Sequence, residues 1–336
     1  MAAEPLKTLF YPFEAEALPL PRKDARVLFL GAEPGFRLPA GFEAPLHLVQ
    51  GFRPHFRTLQ ASGCAVTPRA EGTGFDLALV LAGRYRGQNE LRIADAIERT
   101  VPGGLIAVAG GKEDGIDSLR KRINVLVPLE GHLPKHHGVV FWFKRAGAET
   151  AATLRAGNPD LIIEGGFRTK PGMFSFDRID AGSKLLAANL PDDLKGNVAD
   201  FCAGWGYLAA EILLRPQGLT ALDLYEADFE ALEAARLNVH GGAIEPRFFW
   251  TDLLTEAVER RYDAIVMNPP FHRGRASEPE IGAGMIRAAS KALRPGGRLF
   301  MVANRQLPYE HVLSAAFASH AEIARDGMFK VFSARR

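Results

Sequence analysis

Between residues 198 and 303 short apolar runs alternate with stretches of helical period, and that rhythm leaves few folds open. The runs at 198–202, 220–225, 247–250, 264–267 and 298–303 have the length and apolar content of buried strands. Stretches at 207–214, 228–239 and 281–293 carry apolar residues three and four apart, as a helix with one buried face requires. Strand, helix and strand in this order imply a doubly wound, mostly parallel sheet with crossover helices on both faces. In such a sheet ligands bind beyond the C-terminal ends of the strands.

The first half repeats the theme more faintly. Strands are expected at 26–31, 75–81, 105–109 and 138–143, and helices at 88–100 and 116–123. Residues 1–25 are proline-rich and read as irregular. Phe75-Asp76 followed by Pro102-Gly103-Gly104-Leu105 echoes Tyr262-Asp263 followed by Pro295-Gly296-Gly297-Arg298. In both, an aspartate opens a strand and Pro-Gly-Gly precedes the next one, which implies duplication of one α/β fold. The expected organisation is a first domain over 1–150, a linker within 146–159 marked by Gly147, Gly157, Asn158 and Pro159, and a second domain over 158–336 that opens with a hairpin at 161–169.

A chain of 336 residues, 47% apolar and 24% charged, can bury two cores. Cys64 and Cys202 lie far apart, with no histidine at metal spacing, so neither a disulfide nor a metal site is expected and a reducing cytoplasm is the default. No apolar run reaches the roughly 18 residues of a membrane helix, and no basic leader precedes an apolar one. The net charge of +2 says little about partners. Residues 1–150 hold 19 basic against 16 acidic side chains, and the remainder 22 against 23. Clusters at Arg84, Arg86 and Arg92, at Arg120-Lys121-Arg122, and at His132, Lys135, His136 and His137 can hold phosphates, although such runs more often only solvate a surface.

Four motifs carry chemistry. Asp200-Phe201-Cys202-Ala203-Gly204-Trp205-Gly206 follows a strand and opens a helix, and Gly204 and Gly206 allow a tight turn and close approach to a ligand. An acid ending the second strand can accept from ribose hydroxyls. Glu226 and Asp223 are candidates, and spacing favours Glu226 because Asp223 falls mid-strand. Asp252 follows the third strand and can accept from an adenine amine or, as readily, cap a turn. Asn268-Pro269-Pro270-Phe271 ends the fourth strand. The prolines cannot continue a ladder, so they make a rigid edge. The Asn268 oxygen and a proline carbonyl can accept from an amino group, and Phe271 can stack on a flat ring. A simple strand-ending turn is the plain alternative.

These motifs resemble those of class I methyltransferases that use S-adenosylmethionine (SAM). Pro171-Gly172-Met173-Phe174-Ser175, Asp180-Ala181-Gly182-Ser183-Lys184-Leu185-Leu186, Asn268-Pro269-Pro270-Phe271-His272, Ala303-Asn304-Arg305-Gln306-Leu307-Pro308-Tyr309 and Phe329-Lys330-Val331 are similar to the bacterial RsmC family. The resemblance is close over 160–336 and loose before it. It implies two tandem Rossmann-like methyltransferase domains, the first degenerate and RNA-binding, the second catalytic. It implies methylation of the N2 amine of a guanine in 16S ribosomal RNA, by a cytoplasmic monomer without metal. SAM would lie against Asp200, Cys202, Gly204, Gly206, Glu226, Asp252 and Asn268, and the amine against Asn268, Pro269, Pro270 and Phe271. One position departs from the family pattern Asp-x-Gly-Cys-Gly-x-Gly: Cys202 replaces its first glycine. If that position needs φ > 0, the side chain costs roughly 1 kcal/mol.

Other readings share some of these features. The same amine corner serves enzymes acting on protein glutamine, adenine or large-subunit RNA. A non-catalytic RNA-binding module draws support from Cys202. A nicotinamide oxidoreductase has no use for Asn-Pro-Pro-Phe. His272 reads as a neighbour of the site rather than a base, Phe174 and Tyr309 as pocket wall, and Lys170, Arg305 and Lys330 as phosphate contacts or solvated charges.

Overall fold

The computed structural model describes all residues except 1–3, 216–217, 271, 274–275 and 278, and only the backbone of 272–273 and 276–277. The chain divides into two compact units: Met1–Asp160 with Lys170–Gly172, and Leu161–Thr169 with Met173–Arg336.

The first unit contains strands β1 (Val27–Leu30), β2 (Leu46–Val49), β3 (Val66–Thr67), β4 (Phe75–Leu81), β5 (Thr100–Gly111), β6 (Gly131–Lys135) and β7 (Gly138–Lys144). They form one sheet in the order β3-β2-β1-β4-β5-β7-β6. The first five are parallel, and β7 runs antiparallel to both β5 and β6. Helices α1 (Pro5–Glu14), α2 (Arg53–Ala61), α3 (Arg86–Arg99), α4 (Ile116–Leu126) and α5 (Ala148–Ala156) accompany them. Every residue of β1 is buried, as expected of a central parallel strand.

Two segments differ from the sequence expectation. The supposedly irregular start holds α1, whose Leu9, Phe10 and Phe13 are buried. Pro5 stands in the first turn, where no donor is needed, and Pro12 falls near the end, so neither proline prevents the helix. The expected linker holds α5, bounded by Gly147 and Gly157. Its Ala151 and Leu154 are buried, Arg155 reaches Asp95 and Glu98, and Asn158 donates to the buried Glu90 at 2.6 Å. The glycines there mark helix ends rather than a flexible tether.

The second unit opens with the short antiparallel pair β8 (Leu161–Ile162) and β9 (Arg168–Thr169). It continues through α6 (Ala181–Ala188), β10 (Gly196–Phe201), α7 (Tyr207–Leu213), β11 (Leu219–Glu226), α8 (Phe229–Asn238), β12 (Arg247–Trp250) and β13 (Tyr262–Met267). The hairpin β14 (His272–Arg273) and β15 (Ala276–Ser277), α9 (Pro279–Ala292), β16 (Leu293–Asn304), α10 (Glu310–Ala316), β17 (Ser319–Arg325) and β18 (Phe329–Arg335) complete it. The main sheet has the order β12-β11-β10-β13-β16-β18-β17, the same as in the first unit. Apolar clusters cover both faces: Ile265, Met301 and Ile286 on one, Val198, Leu224 and Val266 on the other. The order reverses between β10 and β13, so the crevice beyond their C-terminal ends is where a ligand fits.

The repeat visible in sequence extends to single hydrogen bonds. Asp76 accepts from the Arg26 amide and Asp263 from the Asn197 amide, each tying the start of the fourth strand to the first. Gly103 and Gly296 both adopt positive φ at the corresponding place near the start of β5 and β16.

Candidate active site

Strand register puts three candidate residues in one row at the rim of the second sheet. Phe201 is level with Tyr225 on one side and Met267 on the other. Glu226, Cys202 and Asn268 are therefore neighbours on three adjacent strand ends.

The loop between β10 and α7 is built to turn sharply. Cys202 has φ 59°, so the position left without its glycine does require the left-handed region, at a cost of about 1 kcal/mol. Gly204 also has positive φ, and a Cβ there would meet no atom within 4 Å, so its backbone faces open space. Gly206 is crowded instead: a Cβ would lie 2.5 Å from Val239 at the C-terminal end of α8. Trp205 points away from this opening. It is buried beside Phe167, and its indole N–H donates to the Phe174 carbonyl at 2.9 Å, which anchors the 173–179 segment to the loop.

Acidic groups lie beside this loop. Asp200 is fully buried, and no described residue forms a well-aligned hydrogen bond with either carboxylate oxygen. Burial pushes its pKa well above the ordinary carboxylate range; the nearby Ala209 amide opposes this and the Glu226 charge adds to it. Burial also raises the Glu226 pKa, against the backbone donors it holds. Glu226 accepts from Gly204 at 2.7 Å, Ala227 at 2.8 Å and Asp228 at 2.9 Å, which leaves about one of its four lone-pair sites free. The Cys202 thiol is driven up by burial and by the Glu226 and Asp200 carboxylates, which disfavours the thiolate. A buried carboxylate with no well-aligned partner among the described residues, a second beside it and a half-buried glycine backbone together suit a cationic ligand with hydroxyl groups. SAM is such a molecule.

Asp223, the alternative acid, has other partners: the Arg247 side chain and the Tyr262 hydroxyl, each at 2.6 Å. Asp252 behaves as a turn cap. It accepts from the Leu254 amide and the Thr255 hydroxyl, while Glu256 accepts from the Asp252 amide. That reciprocal pair resembles a capping box and leaves one lone pair on each Asp252 oxygen.

Asn268 is held from behind. Its side-chain N–H₂ group donates to Asp180 Oδ2 at 3.0 Å and to Ser183 Oγ at 2.8 Å. Asp180 accepts only, so the amide nitrogen must face it. The Asn268 oxygen therefore points the other way, and no described residue donates to it. Pro269 is buried and Pro270 exposed. Phe271 lies outside the described residues, as does the His272 side chain. Asp180 and Ser183 are 88 and 85 residues from Asn268, and only the capped start of α6 brings them to it.

The remaining expectations fare unevenly. Tyr309 is buried in the core beneath α9 and is not pocket wall. Lys330 is buried against Glu310 at 2.6 Å and is neither a phosphate contact nor solvated. Phe174 is 60% exposed, and Arg305 is exposed. Members of the first two basic clusters have partners within the first unit. Arg122 turns to Glu90 at 2.5 Å, Arg84 stacks on Tyr85, and Arg92 donates to the Leu81 carbonyl. Among the described residues no group of three or more His, Cys, Asp or Glu side chains is placed to hold a metal, and no helix is long and apolar enough to cross a membrane.

Comparison with known proteins gives the family. Residues 164–333 match the family "Methyltransferase small domain". Ribosomal RNA small subunit methyltransferase C of Psychromonas ingrahamii is 30% identical over 78% of this chain and 76% of its own length. The protein of that name from Salmonella newport is 37% identical over 74% of this chain and 72% of its own length. This chain belongs to the ribosomal RNA small subunit methyltransferase C family. The family fold accounts for both units. The T. thermophilus 16S rRNA N2 G1207 methyltransferase, solved with AdoMet and guanosine, superposes with a TM-score of 0.78 over 99% of this chain and 91% of its own, at 24% identity. Two sheets of one strand order, the class I methyltransferase architecture in tandem, are thus common to both proteins.

Proposed function

We propose that the second unit transfers a methyl group from SAM to the exocyclic N2 amine of a guanine in 16S ribosomal RNA, within the small ribosomal subunit. The observation that carries this reading is the tethered Asn268, whose amide nitrogen is occupied and to whose oxygen no described residue donates. An acceptor at that place matches a substrate with N–H to donate, and a planar amine is such a substrate.

SAM, when bound, supplies a methyl group on a sulfonium, a good leaving group. The chain's own residues do the rest by positioning. Asp200 and the glycine-loop backbone hold the methionyl end, and the free lone pair of Glu226 takes a ribose hydroxyl. Asp252 has one lone pair per oxygen left for the adenine. Asn268 and a carbonyl of Pro269 or Pro270 orient the guanine amine, with Phe271 stacked on the base. The guanine must leave its RNA stack to reach this corner, as bases do in other modifying enzymes. No strong base is required, because the nitrogen becomes acidic once alkylated. The first unit, which has none of these groups, serves RNA binding, and the protein acts as a monomer in the cytoplasm.

The test is product identity. The protein is incubated with labelled SAM and, separately, small-subunit particles, large-subunit particles and a glutamine-bearing protein substrate. N2-methylguanosine in small-subunit RNA alone is the expected result. Label in adenine, in protein or only in large-subunit RNA would replace the reading.

A further inference from the structure

We infer that Asp180 and Ser183 are positioning residues that decide which atom of the guanine edge meets the methyl donor. The inference rests on the proposed amine chemistry and extends it to side chains that touch no substrate.

An asparagine amide can present either end. Its oxygen accepts, its nitrogen donates, and the two ends have nearly the same shape. A guanine edge carries both complements: N1–H and N2–H₂ donate, and O6 accepts. An Asn268 free to turn would offer an oxygen to the amine half the time, and in its other orientation an N–H₂ that attracts O6 and repels N2. Asp180 removes the choice, because a carboxylate accepts only. Ser183 Oγ takes the second amide proton at 2.8 Å. With both protons engaged, Asn268 has only its oxygen left for the substrate. The Asp180 charge, bonded to the nitrogen end, also polarises the amide and strengthens the oxygen as an acceptor.

The support beneath the pair is rigid. Asp180 caps α6 by accepting from the Ser183 amide at 2.8 Å, with the same Oδ2 that receives Asn268. α6 lies close on β18, where a Cβ at Gly182 would be 3.0 Å from the Phe329 ring. Ser183 is buried, so its hydroxyl is not drawn off by water. A helix cap, a buried hydroxyl and the strand-ending asparagine thus form one unit, the kind of locked support that fixes a functional group.

The cap and the tether use different atoms of Ser183, so they can be separated. Ser183→Ala keeps the backbone N–H that caps α6 and removes only the hydroxyl. We expect kcat on small-subunit RNA to fall about tenfold, with SAM affinity by calorimetry and thermal midpoint unchanged. Asp180→Asn keeps an oxygen to cap α6 but adds a donor and removes the charge, so it should lower kcat several-fold with SAM affinity unchanged, and a kcat equal to wild type would show that the carboxylate does not set the orientation. Asp180→Ala combined with Ser183→Ala should lower kcat about 100-fold. A Ser183→Ala protein with kcat within twofold of wild type overturns the inference. So does a loss that appears equally in SAM affinity or thermal midpoint, since that is structural damage. Absence of N2-methylguanosine with the wild-type protein would overturn the proposed function instead, so the two failures are distinguishable.

Discussion

Gln50 and Glu226 occupy the same place in two sheets of the same strand order. Gln50 directly follows the second strand of its sheet and Glu226 is the last residue of it, and each accepts from the backbone amide two residues on: Gln50 from Phe52 at 2.7 Å, Glu226 from Asp228 at 2.9 Å. They differ at the other end. Gln50 donates its amide to the Ala32 carbonyl at 2.6 Å and closes the loop on itself, whereas Glu226 keeps a carboxylate beside the opening. The rest of the rim shows the same divergence. By register Phe29 stands where Asp200 does, Gly31 where Cys202 does, and Leu81 where Asn268 does. A guanidinium occupies the first crevice. A Cβ at Gly31 would lie 2.7 Å from Arg92, which donates to the Leu81 carbonyl at 2.9 Å. One crevice is lined by buried carboxylates, the other by an amide, a phenyl ring and a fixed positive charge. A sulfonium is favoured in the first case and repelled in the second. Both units have the same strand order, and the charge pattern is what separates their rims.

The comparison predicts effects of graded size. Asn268→Ala should reduce methyl transfer about 1000-fold while calorimetric SAM affinity stays within about twofold. The counterpart Leu81→Ala should leave the chemistry untouched and cost only core stability. Turnover near normal in Asn268→Ala would dissolve the proposed distinction between the two rims.

Next in size is cofactor affinity. Glu226→Ala should weaken SAM binding about 10- to 100-fold, and Gln50→Ala should leave it unchanged. Asp223→Ala should instead lower thermal stability, because it strips Arg247 and Tyr262 of their buried partner. If Asp223→Ala weakens SAM binding and Glu226→Ala does not, the ribose acid has been misassigned.

A smaller effect is the dependence on pH. Asp200 and Glu226 have raised pKa values in the unliganded protein, so the folded state holds protons that the unfolded chain has released. Unliganded stability should therefore fall as pH rises from the ordinary carboxylate range through the raised values. A cation favours the ionised form, so SAM affinity should rise over that same range, with proton release on binding. Calorimetry in buffers of different ionisation enthalpy measures that release, and its absence would mean the carboxylates do not face the cation.

The smallest effects concern the left-handed position shared by the two loops. Cys202→Gly should change stability by less than about 1 kcal/mol, since relief of backbone strain is offset by a looser unfolded chain. Gly31→Ala should destabilise by more than about 1 kcal/mol, because it adds strain and a clash with Arg92. Equal effects in chemical denaturation would show that the two loops are not the counterparts their φ values of 72° and 59° suggest.

The sequence carried most of this architecture because parallel strands buried on both faces read as apolar runs. Phe75–Leu81 and Tyr262–Met267 are the clearest cases. The strand-end place of Glu226 and the mid-strand place of Asp223 could be read from spacing alone. Elements that lack a strong pattern escaped. The edge strand β17 has an exposed face with few apolar residues, α6 spans only eight, and the prolines of α1 obscured the Leu9, Phe10 and Phe13 stripe. The tether on Asn268 was out of reach for a different reason. Asp180 and Ser183 were visible as a motif, but their pairing with a residue more than 80 positions on is a product of tertiary packing. Asp252 was ambiguous because a turn cap and an adenine acceptor ask for the same side chain.

The most direct test of the division between the units is the number of SAM molecules bound per chain. Calorimetric titration of the full chain should give one site, lost when Asp200→Asn is combined with Glu226→Ala, and unaffected by Arg92→Ala or Gln50→Ala. Two sites per chain, or a single site that survives the double substitution in the second crevice, would contradict the account.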